Sequence, residues 1–304
     1  VYANNNRYEG RWSNSKRNGG GMCKYRNGDR YDGEWENDTR HGRGTMKYTD
    51  GSHYDGEWYY DRKYGQGTMV YANKDRYEGN WSDNKRHGQG TMKYSNGARY
   101  DGEWWDDRRH GYGQSTMRYA NGDYYEGQWQ YDKFHGQGIY TSRLVRYEGQ
   151  YQYGLNHGHG IQTWTDGTRY EGEWQNGKRH GQGTMTHANG NSYEGGWLLE
   201  KRHGKGTMTQ PDGQSYKGEW QNDKMHGQGV MTHPNGNSYE GQWQNGLQHG
   251  KGTQTSTNGQ SYNGLWKDGK MHGAGTMNFN LPEGSYYQGQ WKDGKRHGQG
   301  TMVF

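Results

Sequence analysis

The sequence predicts an all-β fold, an elongated antiparallel β-meander solenoid of about thirteen 23-residue β-hairpin repeats. Three observations carry that expectation. The unit Tyr170-Glu-Gly-Glu-Trp174, Gln-Asn-Gly-Lys-Arg179, His180-Gly-Gln-Gly-Thr-Met185, Thr-His-Ala-Asn-Gly190 returns along the whole chain. Its anchors are Tyr8, Tyr31, Tyr54, Tyr77, Tyr100, Tyr125, Tyr147, Tyr170, Tyr193, Tyr216, Tyr239, Tyr262 and Tyr287, spaced by 23 except for one 25, one 22 and a final 25. A fixed period of this size marks a solenoid or array. Within each period the apolar residues alternate by two, and two turn signals separate two short runs.

Strands follow from the alternation. In Tyr31-Asp-Gly-Glu-Trp35, side chains 31, 33 and 35 share one face and Asp32 and Glu34 take the other. In the second run, Gly42, Gly44, Met46 and Tyr48 fall together, with Arg43, Thr45 and Lys47 opposite. Turns follow from Asn176-Gly177, Asp268-Gly269 and Asp293-Gly294 after the first strand, and from Asn96-Gly97, Asp166-Gly167 and Asn258-Gly259 after the second. Asn-Gly and Asp-Gly suit hairpin turns because both central residues accept positive φ. Glycine weakens a strand interior; here it falls on the aromatic face, where a bare backbone lets Trp and Tyr rings lie flat across it. Strands stack at about 4.8 Å, so each repeat should advance roughly 9.6 Å.

Composition supports ring packing over a thick core. Only 26% of residues are apolar, too few for a compact 304-residue interior, yet 14 Trp and 29 Tyr argue against disorder. The single Cys23 supplies neither a disulfide nor a zinc framework, so a reducing cytoplasmic setting is expected. No apolar run approaches the roughly 20 residues of a membrane span. Val1-Tyr-Ala-Asn4 matches Val70-Tyr-Ala-Asn73, and Thr301-Met302 lies mid-repeat, so residues 1–304 read as one continuous array truncated at both ends. The pattern breaks in an irregular segment, 113–151, expected to be a bend or a partner-specific stretch, and in a loop insertion, 280–284.

Tyr-Glu-Gly-x-Trp, then His-Gly-x-Gly-Thr-Met, then Asn-Gly or Asp-Gly at this period resembles the MORN (membrane occupation and recognition nexus) repeat over essentially the whole chain. The resemblance implies a scaffold or partner-binding array of hairpins. It further implies the settings in which such proteins occur: ciliary axonemes including radial-spoke heads, cytoskeletal assemblies and membrane junctions. Some members carry lipid-kinase or methyltransferase domains, which these residues lack.

Catalytic, metal and cofactor sites are not expected. Eleven histidines precede the repeat glycine (His41, His87, His110, His135, His157, His180, His203, His226, His249, His272 and His297). Equivalent positions lie about 10 Å apart, whereas zinc needs nitrogens at about 2.1 Å; a structural role packing on neighbouring Tyr is the expectation. A Glu repeated on an open ribbon has no privileged cleft for acid-base work, and cross-strand pairing with Thr, Lys or Arg accounts for it.

Two surfaces remain as candidates. The aromatic face (Tyr31, Trp35, Tyr54, Trp58, Tyr77, Trp81, Tyr100, Trp104, Tyr170, Trp174, Tyr193 and Trp197) is the candidate partner-binding surface. The pairs Lys16-Arg17, Lys85-Arg86, Arg108-Arg109, Lys178-Arg179, Lys201-Arg202 and Lys295-Arg296 occupy one repeat position and predict a basic edge for an anionic partner such as phosphoinositide headgroups; a solvated edge is the competing reading. Nucleic acid is not expected, because the aromatics that would stack bases are committed to packing. The sequence thus favours a non-enzymatic scaffold among structural proteins of a large cytoskeletal or axonemal assembly, with self-association through exposed end strands. The alternatives are a membrane-associating module or the targeting region of a larger enzyme.

Overall fold

The computed structural model describes residues 6–281 and 284–304 and contains, among them, 27 strands and no helix. The Val1–Asn4 match and the middle of the 280–284 insertion, Pro282 and Glu283, lie outside the described residues. The chain divides into two compact units, Val1–Leu155 and Asn156–Phe304.

In both units a repeat is a seven-residue strand followed by a nine-residue strand, as in Arg30–Glu36 with Thr39–Lys47 and Arg169–Gln175 with Lys178–Thr186. All pairings are antiparallel, within hairpins and between them. In most hairpins Tyr faces Met and Gly faces Gly, as in Tyr31↔Met46 and Gly33↔Gly44; Tyr8, Tyr125 and Tyr239 face Cys23, Tyr140 and Gln254 instead. Beyond the glycine pair the register slips at a bulge, so that Trp35 faces Arg40. The bulge residue Gly42 has φ +57°, and a Cβ there would collide with the Glu34 carboxylate.

The glycine pair explains how one sheet layer buries its rings. Each anchor Tyr lies over both glycines, and its hydroxyl donates to the carbonyl three residues on, as in Tyr31 Oη to Glu34 O at 3.0 Å and Tyr170 Oη to Glu173 O at 3.0 Å. A Cβ on Gly44 would sit 2.2 Å from the Tyr31 hydroxyl. The indoles pack against the anchor phenols. They stand edge-on: Tyr31 meets Trp35 at 5.1 Å and 90° and the next repeat's Trp58 at 5.4 Å and 84°. In unit 2, Tyr193 meets Trp197 and Trp220 in the same way. This offset, edge-to-face geometry suits the ring quadrupoles. In most repeats the indole N–H then donates to a glycine carbonyl of the preceding hairpin, as Trp58 does to Gly44 O at 3.0 Å.

Within-hairpin turns depart from expectation. All thirteen use positive φ at both central residues, the geometry that matches strand twist. Yet only five end in glycine; the other eight carry Ser, Asp, Asn or Glu there, including Asp38 (φ 72°) and Glu200 (φ 75°).

The irregular segment is local. Arg108–Arg109 and Gly111–Arg118 form a broken second strand, with a register shift between Gly111 and Ser115. Ser115, 1% exposed, takes the glycine position opposite Gly127. Trp129 Nε1 is left without a partner, as is the hydroxyl of Tyr151, which replaces a Trp. Phe134 stacks on Tyr125 at 3.7 Å where eight of the other repeats place Arg or Lys.

Candidate functional site

The candidate aromatic face is the core itself. Tyr31, Tyr54, Tyr77, Tyr100 and Tyr170 are 0% exposed, and Trp35, Trp58, Trp81, Trp104, Trp174, Tyr193 and Trp197 are also buried. Burial pushes the Tyr193 phenol up to about 12, and Tyr31, Tyr54, Tyr77 and Tyr100 further still. What this face shows to a partner is therefore what lies over the rings.

That cover comes from the second residue of each basic pair. Trp35 and Arg40 are cross-strand partners, so strand parity turns the Arg of each pair onto the aromatic face. Arg86 stacks 4.1 Å over Trp104 of the next repeat, and its Nε donates to Asp107 at 3.0 Å. The Arg86 backbone N–H donates to the same carboxylate oxygen at 3.0 Å, and Nη2 donates to the Asp107 carbonyl at 2.9 Å. The Asp107 N–H returns to the Arg86 carbonyl. The same clamp joins Arg17 to Asp38, Arg40 to Asp61 and Arg109 to Asp132 in unit 1, and Arg179 to Glu200 and Arg202 to Asp223 in unit 2. Lys63 with Asn84 is a weaker version, and burial over Trp81 lowers the Lys63 pKa. The Arg17 N–H, then its guanidinium, hold the Asp38 carboxyl below its ordinary value.

Sequence and geometry agree at all twelve junctions. Where the second turn residue is Asp, Glu or Asn, the residue 21 back (23 across the insertion) is Arg or Lys. Where it is glycine (Gly154, Gly177, Gly246, Gly269, Gly294), the matching residue, 20 back for Gly154, 23 back for Gly294 and 21 back for the others, is Phe134, Asn156, Met225, Gln248 or Met271, and only the backbone bond remains. This coupling explains seven of the eight turns without glycine, all but Ser15 of the first hairpin, and was legible as a correlation between two repeat positions.

The first residue of each pair points to the other face. Lys85 reaches Asp106 at 3.2 Å. Lys16, Arg108, Lys178, Lys201 and Lys295 have no carboxylate within ion-pair distance among the described residues. Arg296 caps Tyr287 at 5.6 Å. The structure thus divides the predicted basic edge, placing the second residue of each pair over the rings and the first residue, Lys or Arg108, on the other face.

On that second face Asp of the first strand meets Thr in two places, Thr45 Oγ1 to Asp55 at 3.2 Å and Thr91 Oγ1 to Asp101 at 2.6 Å. The repeated histidines pack on the next hairpin, His87 against Trp105 at 4.6 Å and His110 against Tyr131 at 5.0 Å. Ten have a buried Nδ1 without a hydrogen bond; Glu36 stands 3.1 Å from His41 Nδ1 but out of hydrogen-bond alignment. Among the described residues no three His, Cys, Asp or Glu side chains converge as a metal site would need.

Above the buried rings of unit 1 runs a row, Tyr25, Tyr48, Tyr71, Tyr94 and Tyr119, all half-buried, of which the sequence reading placed only Tyr48 on this face. Burial pushes Tyr25 up to about 12. With Arg17, Trp35, Arg40 and Met46, Tyr25 lines an open groove of about 730 Å³. Unit 2 has Trp164, His187, Gln210, His233, Ser256 and Phe279 at those positions, and a groove of about 320 Å³ lies beside Arg179, Trp197 and Arg202.

An array of antiparallel hairpins, each packed on its neighbours through edge-to-face rings, defines a β-repeat protein. The chain belongs to the MORN-repeat family, whose profile matches thirteen times, over residues 8–143, 147–280 and 287–304. No curated protein sequence matches it. Among solved structures it is similar to the wild-type TCP10 domain of Danio rerio CPAP, at 11% identity and TM-score 0.28 over 73% of this chain and 93% of that one. The same domain in complex with a peptide of Danio rerio STIL aligns at 15% identity and TM-score 0.24, over 71% and 93%. Virginiamycin B lyase from Staphylococcus aureus aligns at 9% and 0.15, over 85% and 82%.

Proposed function

We propose that this chain is a non-enzymatic scaffold that holds structural proteins of a large assembly along its length, in a cytoskeletal or ciliary axonemal setting of the radial-spoke kind. One observation carries the scaffold reading: the repeated chemical groups are spent within the array itself. The anchor phenols bond to their own strands, and the clamping guanidiniums bond to the next turn. The groups that differ between repeats, including the tyrosine row of unit 1 and the exposed tip residues, are the ones left to a partner. The ciliary setting draws support from the family resemblance alone. Crosslinking mass spectrometry in the native assembly tests the scaffold, with crosslinks to other chains expected along both units. Immunolocalisation tests the setting, and diffuse cytosolic protein would remove it.

A second reading, attachment to anionic membrane, is favoured by Lys178, Lys201 and Lys224, which lack carboxylate partners among the described residues, beside the exposed Leu198 and Leu199. Its test differs from what the basic pairs suggested, because the arginines belong to clamps. Lys178→Glu with Lys201→Glu and Lys224→Glu should abolish sedimentation with phosphoinositide vesicles while leaving the fold intact. Binding unchanged in that variant, or equal binding to neutral vesicles, would remove this reading.

A further inference from the structure

Four hairpin tips break the rule that their first central residue be Asn or Asp. Tyr60 (φ 44°), Tyr131 (φ 48°), Tyr153 (φ 52°) and Leu199 (φ 49°) occupy the left-handed region there. A bulky side chain in that conformation is strained, and contacts within the chain leave Tyr131 53% and Tyr153 64% exposed. Such strain is retained where something outside the fold uses it.

In unit 1 these tips join other exposed rings. Trp105 is 52% exposed and Tyr112, in the looped-out insertion, 72%. His87, Trp105, His110 and Tyr131 form a chain of ring contacts at 4.6, 6.4 and 5.0 Å, and Tyr112 joins His110 at 6.0 Å. One tip further on, Tyr153 packs on His135. Arg108, 5.9 Å over Tyr131, and Lys133 have no carboxylate partner among the described residues. The backbone offers no edge for strand addition, because the Asp107 and Asp132 N–H groups are spent on Arg86 and Arg109. Recognition there must use rings and cations.

Spacing selects the ligand conformation. Successive tips lie two strands apart, about 9.6 Å. A polyproline II helix repeats every three residues at about 9.3 Å and sets one side chain per tip, whereas an extended strand returns to the same face every 6.6–6.8 Å or so. We propose that the ridge of Trp105, Tyr112, Tyr131 and Tyr153 docks a proline-rich segment of a partner protein in the polyproline II conformation. Proline rings lie across the aromatic tips, as in other aromatic-lined polyproline sites, and carboxylates of the segment face Arg108 and Lys133. This inference rests on the scaffold reading and locates one docking surface within it.

The test uses the full chain and two fluorescent twelve-residue probes, one of Pro-Pro-Glu repeats and one of Gly-Gly-Glu repeats. The proline probe should bind about tenfold more tightly or better. Trp105→Gln with Tyr131→Asn and Tyr153→Asn installs residues that this chain uses at the same positions elsewhere, and should lose at least that factor while its melting temperature stays level or rises. Equal affinity for both probes, no binding of either, or unchanged binding by a folded triple variant would overturn the proposal. In the native assembly, crosslinks from other faces with none at Lys133 would overturn this docking surface but leave the scaffold standing. No crosslink from either unit would overturn the scaffold itself.

Discussion

The clamp between Arg86 and Asp107 makes a quantitative demand on stability. Arg86→Met removes the Nε–carboxylate bond at 3.0 Å, the Nη2–carbonyl bond at 2.9 Å and the guanidinium stacked at 4.1 Å on Trp104. Methionine, which this chain uses at positions 225 and 271, still covers the indole, so the loss is mostly polar. A cation over a partly exposed ring contributes about 0.5–1 kcal/mol. The ion pair contributes up to about 1 kcal/mol, discounted because the Asp107 side chain is 47% exposed. Arg86→Met should therefore cost about 1–2 kcal/mol. Asp107→Gly loses the same pair but relieves the φ of 67°, and should cost less. The double variant should recover about 1 kcal/mol relative to the sum. Repeat arrays do not unfold in one step, so the assay is hydrogen exchange on peptides spanning Lys85–Lys93 and Arg99–Trp105, where 1 kcal/mol is about a fivefold change in protection. A coupling below about 0.4 kcal/mol, the ordinary error of additivity, would refute the clamp as an interaction between repeats. Met225→Arg with Gly246→Asp should install it in unit 2 and raise local protection by a similar factor.

Other expectations concern the rings and glycines. Tyr151→Phe removes a buried hydroxyl that has no partner and should be neutral or stabilising by about 1 kcal/mol, whereas Tyr125→Phe loses its bond to Gln128 O at 2.8 Å and should cost about that much; thermal melts of the two distinguish them. Gly172→Ala would press a Cβ to 2.4 Å from Gly183 Cα, while nothing lies within 4 Å of one on Gly20. The first should cost about 3 kcal/mol and the second should lie within about 0.5 kcal/mol of neutral, read by urea titration. Burial alone raises Tyr239 and Tyr262 to about 12. Their neutral form is favoured by folding, so their contribution is whole below the unfolded value near 10 and is lost as pH rises towards 12; phenolate absorbance of Tyr239→Phe/Tyr262→Phe against the parent checks it. Asp38 behaves oppositely: its contribution is present above about pH 4 and lost as pH falls through its lowered value, so the melting-temperature gap between the parent and Asp38→Ala should close in acid.

Much of this was legible in the sequence because a period-two pattern repeated thirteen times fixes strands, faces and the ring-on-glycine contact at once. Tyr31, Gly33 and Trp35 could be placed together from parity alone. Parity also puts Arg40 beside Gly42, yet adjacency in the chain made Lys and Arg look like one charged edge. The bulge at Gly42 and the pairing of Arg40 with Trp35 were hidden because a bulge depends on how two strands register, which a single strand's pattern does not contain. The turns misled for a related reason. Asn-Gly is a local signal, whereas Asp38 and Glu200 tolerate left-handed φ through a partner 21 residues earlier. The exposed tyrosines at 131 and 153 stood in plain sight, but without turn geometry nothing marked them as misplaced.

The clamp also bears on how such an array can grow or shrink. Because one half sits in a repeat and the other half in its successor's turn, the self-consistent module begins at one arginine and ends at the next acidic tip, out of phase with the visible tyrosine-to-tyrosine motif. Duplicating or excising a block between a clamped and an unclamped junction would strand a guanidinium above a glycine turn, or a carboxylate beside methionine. Exchange of repeats is therefore silent only between junctions of the same kind, which divides thirteen look-alike segments into two sets that are not interchangeable.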